Sequence, residues 1–233
     1  ALILDLEDAV SPDAKELARK QVCEAVVAGG FGHREIAIRV NGLDTPWGQD
    51  DLKAAAAAKP DAILVPKISS AAMIHEIEGL LDKAGAASHT RLWAMMETPV
   101  GILRALEIAG SSKRLAVLVM GTNDIAKELH ATHVPGREPL IGSLSMCLLA
   151  ARAHGKVILD GVYNDIKDEA GFRAECVQGM QMGFDGKTLI HPSQVEPCNE
   201  VFSPSAAELE MARRIIAAFD EAKAQGKGVA TVD

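Results

Sequence analysis

Charged side chains interrupt this chain just after its short β-type runs, each time on the C-terminal side. Asp5, Glu7 and Asp8 follow or end LILDL, Arg39 lies in AIRVN, Lys67 follows ILVP and Glu97 follows LWAMM. Asp124 comes after the glycine turn that closes LAVLVM. In a parallel α/β protein that edge of the sheet carries the ligand, whether the sheet is a closed barrel or an open doubly wound one. Glu97 and Asp124 belong to consecutive β/α units, and neighbouring strands lie about 4.8 Å apart, so the two carboxylates can share one cation. Such a pair suits magnesium (Mg2+). That ion takes one or two carboxylates and completes its octahedron with waters and substrate oxygens, leaving positions for a 2-oxo or 2-hydroxy acid to chelate. The same two residues also read as helix N-caps, Asp124 before Ile125 and Glu97 before Thr98-Pro99.

Arg39 alternates with Ile36, Ile38 and Val40, so it points away from the aliphatics that pack against helices. A guanidinium inside a barrel mouth needs an anionic partner, either the acids of Asp5-Leu6-Glu7-Asp8 or a carboxylate or enolate of a substrate. Lys67, just beyond a strand, reads as a lysine reaching for solvent rather than as a Schiff-base former. Three other features are decoys. Gly186-Lys187-Thr188 lacks the glycine five positions earlier that a phosphate-binding loop needs, since Gln181 stands there. Gly29, Gly30 and Gly32 follow a helix and read as its stop. His130 and His133 have no cysteine or H-E-x-x-H context and read as a solvated loop.

The elements that position these residues are seven β-type runs, at 2–6, 35–40, 62–65, 91–96, 115–120, 156–159 and 186–190, each followed by helix-like sequence. Most are apolar on both faces, as strands buried on two sides of a parallel sheet should be. Ser11-Pro12 reads as an N-cap with proline at the first helical position, Ser205 with Glu208 as a capping box, and Gly29, Gly155 and Gly226 as helix ends. Seven β/α units suit an open sheet or a TIM-type (β/α)8 barrel, one strand short of the latter. Because the first run begins at the first residues, a β/α unit of roughly 30 residues is expected upstream. Residues 1–225 read as one barrel domain, and 226–233 as the start of a C-terminal extension or lid.

The 233 residues, 48% hydrophobic, are enough for one substantial core. A formal charge of −8 and only 3% aromatic residues argue against nucleic acid as a partner. No apolar run nears the roughly 20 residues of a membrane helix. Cys23, Cys147, Cys176 and Cys198 stand far apart without a C-x-x-C pair, as reduced, packed thiols do. The expectation is a soluble, cytoplasmic protein.

LILDLEDAV, IAIRVNGLDTPWGQDDL, AILVPKISS, METPVGI, MGTNDIAKEL, DGVYNDIKD and GFDGKTLIHPSQ, in this order and over essentially the whole chain, resemble the citrate lyase beta-subunit-like family of HpcH/HpaI aldolases. Malyl-CoA and citramalyl-CoA lyases are close relatives within it. The resemblance implies a β/α barrel, a homotrimer or hexamer, that makes or breaks a carbon–carbon bond between an acyl-CoA thioester and a 2-oxo acid with Mg2+. It implies that Glu97 and Asp124 hold the metal, that Arg39 binds substrate and steadies the thioester oxygen, and that Glu7 and Asp8 orient Arg39 and water. Backbone amides around Gly121, Thr122 and Pro99-Val100-Gly101 are implied to hold the oxo-acid carboxylate.

The chain departs from the family where an upstream basic, V-P-G-like segment is absent, and where a lid aspartate beyond a V-D-G-like turn would follow Val232-Asp233. No catalytic role transfers to Asp233. Thioester hydrolysis at the same site is a second activity of the family. The competing readings are a beta subunit of a multienzyme citrate lyase acting on an acyl-carrier-protein thioester, a non-catalytic acyl-CoA sensor, and a pyruvate-type aldolase.

Overall fold

The computed structural model describes residues 1–231, and each apolar run forms a parallel strand: β1 Leu2–Asp5, β2 Ile36–Arg39, β3 Ala62–Val65, β4 Arg91–Met96, β5 Leu115–Met120, β6 Val157–Asp160 and β7 Gly186–Lys187. They pair in sequence order as one seven-stranded sheet. The last run is shorter than its sequence suggests. Thr188 still donates to the Asp160 carbonyl at 3.0 Å, but His191 and Pro192 then turn the chain into the 3-10 turn Pro192–Gln194.

Period-two alternation divides the strands between two faces. Ile38, Ile63, Val65, Leu92, Ala94, Met96, Leu118 and Ile158 join the helices in the main core. Ala37, Ala62, Leu64, Trp93, Met95, Val117 and Val119 form a second cluster made of strand residues alone, with Ile3 and Leu159 packed against it. A sheet that buries one face on itself is curled, so the barrel reading holds over the doubly wound one. Between β4 and β5 the register slips, Leu92 facing Leu115 but Trp93 facing Val117. This extra residue keeps Leu115 and Leu118 both on the outer face.

The helices are α1 Lys15–Ala28, α2 Gly48–Ala58, α3 Ala71–Lys83, α4 Pro99–Leu103, α5 Ala105–Gly110, α6 Thr122–Glu128, α7 Ile141–Ala153, α8 Glu169–Met182, α9 Val195–Phe202 and α10 Ala206–Ala224. Ser11-Pro12 opens a 3-10 turn, Pro12–Ala14, ahead of α1, and the Ser11 side chain makes no capping bond there. Both halves of the Ser205/Glu208 capping box form, and Gly29 (φ 69°) closes α1 in a conformation open to glycine.

The N-terminal rim of the sheet is tied by side chains. Asp61 accepts the Ile36 amide and Asp185 the Ile158 amide, both at 2.8 Å, while the Lys156 ammonium donates to the Leu115 carbonyl at 2.6 Å. Of α10 only Ala222 is buried. The Val232-Asp233 turn lies outside the described residues. No helix among them is long and apolar enough to cross a membrane. The four cysteines are free thiols, three of them buried. His130 and His133 are exposed.

Candidate active site

A cavity of about 480 Å³ opens at the C-terminal ends of the strands, bordered by Asp5, Asp8, Arg39, Glu97, Gly121, Thr122 and Asp124. Ile3 of β1 and Ile190 beyond β7 face the same space, which shows how far the sheet curls. Glu7 stands behind this wall, and Lys67 is exposed. A neighbouring cavity of about 560 Å³, lined by Arg137, Tyr163 and Gln178, touches the first through Val162 and Asn164 but holds none of the expected site residues.

Arg39 and Asp5 are register partners on β2 and β1. Both point inward, and the Arg39 Nε and Nη2 donate to Asp5 Oδ1 and Oδ2 at 2.6 Å each. Asp5 is itself held by the amides of Glu7 (2.9 Å) and Ala9 (3.0 Å). Burial would raise its pKa, but the hydrogen bonds and charge of Arg39 outweigh burial and hold it below the ordinary value. Glu7 Oε2 lies 3.1 Å from Arg39 Nη1 yet makes no hydrogen bond, and Asp8 reaches the same nitrogen at 3.3 Å from an exposed position. Glu7 and Asp8 thus both lie against Arg39 as expected, while the bidentate contact belongs to Asp5. Burial, aided by the charges of Asp8 and Asp5, pushes Glu7 up to about 7 against Arg39 and Lys67.

Glu97 is 3% exposed. Its Oε1 accepts the Lys67 amide at 2.8 Å, and Lys67 adopts the left-handed conformation (φ 55°) that L residues seldom take. Its Oε2 packs over Gly121, where any Cβ would overlap it. Burial first, then the charges of Glu7 and Asp124, push Glu97 up to about 8. Neither metal candidate is a helix cap. Thr98 caps α4 by accepting the Gly101 amide at 3.0 Å, and α6 begins at Thr122, which puts Asp124 inside its first turn.

Two of the amides expected to receive a carboxylate are already used: Gly101 donates to Thr98, and Gly121 donates to the Met96 carbonyl at 3.1 Å. The amides of Thr122 and Asn123 start α6, where no intrahelical acceptor exists. Among the described residues no cluster of three or more His, Cys, Asp or Glu forms a ready cation cage. Three acids, Asp5, Glu7 and Asp8, nonetheless act on the Arg39 guanidinium, and Glu97 feels the charges of Glu7, Asp124 and Arg39. Glu97 and Asp124, two carboxylates whose charges oppose one another beside a cavity with room for water, are a donor set that fits magnesium.

Several residues that hold the site carry no mark in the sequence. Lys15 is buried at the start of α1 and donates to the carbonyls of Leu6 (2.8 Å) and Glu7 (2.7 Å) and to Asn41 Oδ1 (2.8 Å). Asn41 in turn donates to the fully buried Asp51, which also pairs with Arg19 at 2.6 Å. On the other side, buried Asp160 at the end of β6 receives Arg137 at 2.7 Å and Lys187 at 3.1 Å, and Glu175 takes the other side of Lys187 at 2.6 Å. Asn41, Asp51, Asp160 and Lys187 lie within quoted motifs, which was their only signal. A lysine at the head of an amphipathic helix looks solvated until its neighbours are known.

The pattern of the HpcH/HpaI aldolase/citrate lyase family matches residues 1–192. The chain is 55% identical over all of its 233 residues to a (3S)-malyl-CoA thioesterase of Cereibacter sphaeroides, covering 79% of that protein. It is 37% identical to the citrate lyase subunit beta of Leuconostoc mesenteroides, again over the whole chain and 79% of the relative. It is 36% identical to the L-malyl-CoA/beta-methylmalyl-CoA lyase of Rhodobacter capsulatus, over 97% of the chain and 78% of the relative. Among solved structures, the Mycobacterium tuberculosis protein CitE in complex with magnesium, acetoacetate and coenzyme A superposes with a TM-score of 0.77 at 30% identity, over 94% of this chain and 78% of that one. Sequence, curled parallel sheet and strand-end carboxylates agree: the chain belongs to the HpcH/HpaI aldolase/citrate lyase family.

Proposed function

We propose that this protein acts on 3-hydroxyacyl-CoA thioesters of the malyl, citramalyl or citryl type, cleaving them to acetyl-CoA and a 2-oxo acid or running the reverse condensation, with magnesium. The observation that carries the reading is the convergence of Arg39, Glu97 and Asp124 on one cavity. The Glu97 and Asp124 carboxylates would hold the ion, and the amides of Thr122 and Asn123 the carboxylate of the oxo acid. Magnesium bound there supplies Lewis acidity toward the oxo-acid carbonyl.

In the cleavage direction the substrate hydroxyl loses its proton to a base and the C2–C3 bond breaks. The electron pair moves into the thioester enolate, and carbon protonation then gives acetyl-CoA. Arg39 lines the cavity and would donate to the enolate oxygen, where charge develops. Met95 and Leu64 line the wall behind it and limit water at the acyl group.

Hydrolysis is the second reading, favoured by the 55% identical thioesterase. Asp8, which lines the cavity, would then hold the attacking water, with the Glu7 carboxyl behind it. One experiment separates the readings. The protein is incubated with acetyl-CoA, magnesium and glyoxylate, pyruvate or oxaloacetate in turn, and separately with the preformed thioesters, and products are identified by mass spectrometry. A magnesium-dependent new acyl-CoA supports the lyase, and free hydroxy acid with CoA supports the thioesterase. Inertness toward CoA thioesters but turnover of acyl-carrier-protein thioesters identifies a citrate lyase subunit, and inertness toward both overturns the proposal.

A further inference from the structure

We propose that Asp5 is the positioning residue that aims Arg39 at the thioester oxygen, through a two-point contact that neither Glu7 nor Asp8 makes. The inference rests on the thioester reading given above. Asp5 Oδ1 receives Arg39 Nε and the Glu7 amide, and Oδ2 receives Arg39 Nη2 and the Ala9 amide. Four donors fill the roughly four acceptor sites of a carboxylate, which leaves Asp5 no capacity for substrate or cation. Two bonds to one edge of a planar guanidinium fix its plane as well as its place. The two amide bonds fix Asp5 in turn, at a point where strand register already sets the two Cα atoms opposite each other.

The terminal nitrogen outside the Asp5 contact is Nη1, which donates only long bonds to Asp8 and Met95. It lies among Glu7 Oε2 at 3.1 Å, Asp8 Oδ2 at 3.3 Å and Met95 Sδ at 3.9 Å. The Glu7 contact is not a hydrogen bond, and the Asp8 side chain is 70% exposed. Neither can define a plane as Asp5 does.

The test compares Asp5→Asn, Arg39→Lys and the double variant with the wild type, using a malyl-CoA-type thioester at saturating magnesium. Asp5→Asn is expected to lower kcat by about 10- to 100-fold, the scale of a misplaced catalytic group, with the magnesium requirement unchanged. The double variant is expected to be no slower than Arg39→Lys alone, because Asp5 acts only through Arg39. Losses that multiply, or a wild-type kcat in Asp5→Asn, overturn the proposal.

A second readout needs no turnover. Modification of Arg39 by phenylglyoxal, followed by peptide mass spectrometry, should accelerate several-fold in Asp5→Asn and stay at the wild-type rate in Glu7→Gln and Asp8→Asn. Equal rates in all four proteins overturn it. Where Asp5→Asn fails to fold, Asp5→Glu carries the same labelling test, since it keeps the charge but displaces the carboxylate. A wild type inert toward every thioester defeats the functional reading, and the labelling still decides the positioning.

Discussion

Glu97 and Gly121 are fitted to one another: the buried carboxylate fills the space that residue 121 leaves by having no Cβ. The strand-end glycine contributes a shape rather than a donor, since its amide is taken by Met96. Gly121→Ala is expected to displace the Glu97 carboxylate and destabilise the protein by about 1–3 kcal/mol, the range for overpacking. A thermal melt and a magnesium titration of activity check this. An unchanged magnesium requirement in a folded variant would show that the fit does not matter.

Substitution of the carboxylate proposed for the metal and of the arginine should separate cleanly. Glu97→Gln is expected to raise the magnesium needed for half-maximal rate by on the order of 100-fold while leaving the fold intact. Arg39→Lys keeps the charge but loses the planar fork, and should lower kcat by about 10²- to 10³-fold at normal magnesium affinity. Steady-state kinetics with magnesium as the varied component distinguishes the two patterns.

Acidity should govern cation binding. Burial and neighbouring charge raise Glu97 from its ordinary 4.5 to about 8, so between those values the native protein holds a proton that the unfolded chain releases. This group therefore lowers stability as pH rises from about 4.5, the loss being complete above 8. A cation must displace the same proton. Magnesium affinity is expected to climb with pH up to about 8 and then level, with proton release on binding below it. Calorimetry in buffers of differing ionisation enthalpy measures both quantities, and a pH-independent affinity would contradict the assignment.

Asp160 joins two buried cations, Arg137 and Lys187. Asp160→Asn removes the shared anion and leaves Glu175 as the remaining carboxylate against both. A loss of about 3–5 kcal/mol is expected from the uncompensated charge. Urea unfolding at neutral pH checks the value, and a loss below about 1 kcal/mol would place the network among weakly contributing ion pairs.

Much of this was legible in the residues. The aliphatic runs marked all seven strands because a strand buried on both faces leaves few polar positions, and the alternation about Arg39 gave its inward direction correctly. The ends of the strands were less legible. Residues 188–190 are apolar enough to continue β7, but His191-Pro192 turns the chain first. Glu97 and Asp124 were found because a carboxylate after an apolar run is conspicuous.

The partnership of Arg39 with Asp5 was only half visible. Asp5, Glu7 and Asp8 are chemically alike in the sequence, and strand register selects among them. Lys15 could not be read at all, and Asp160 only as the first residue of DGVYNDIKD, since what makes them special is the set of carbonyls and cations that distant segments bring to them.

The two rims of the curled sheet are built from different material. At one end Asp61, Asp185 and Lys156 tie main chain to main chain, and at the other the acids and Arg39 face a cavity. Evolution and engineers thus have two nearly independent dials. Changes at the tied rim tune how long the molecule survives, and changes in the loops of the open rim reshape the cavity, so a lineage can remodel one without renegotiating the other.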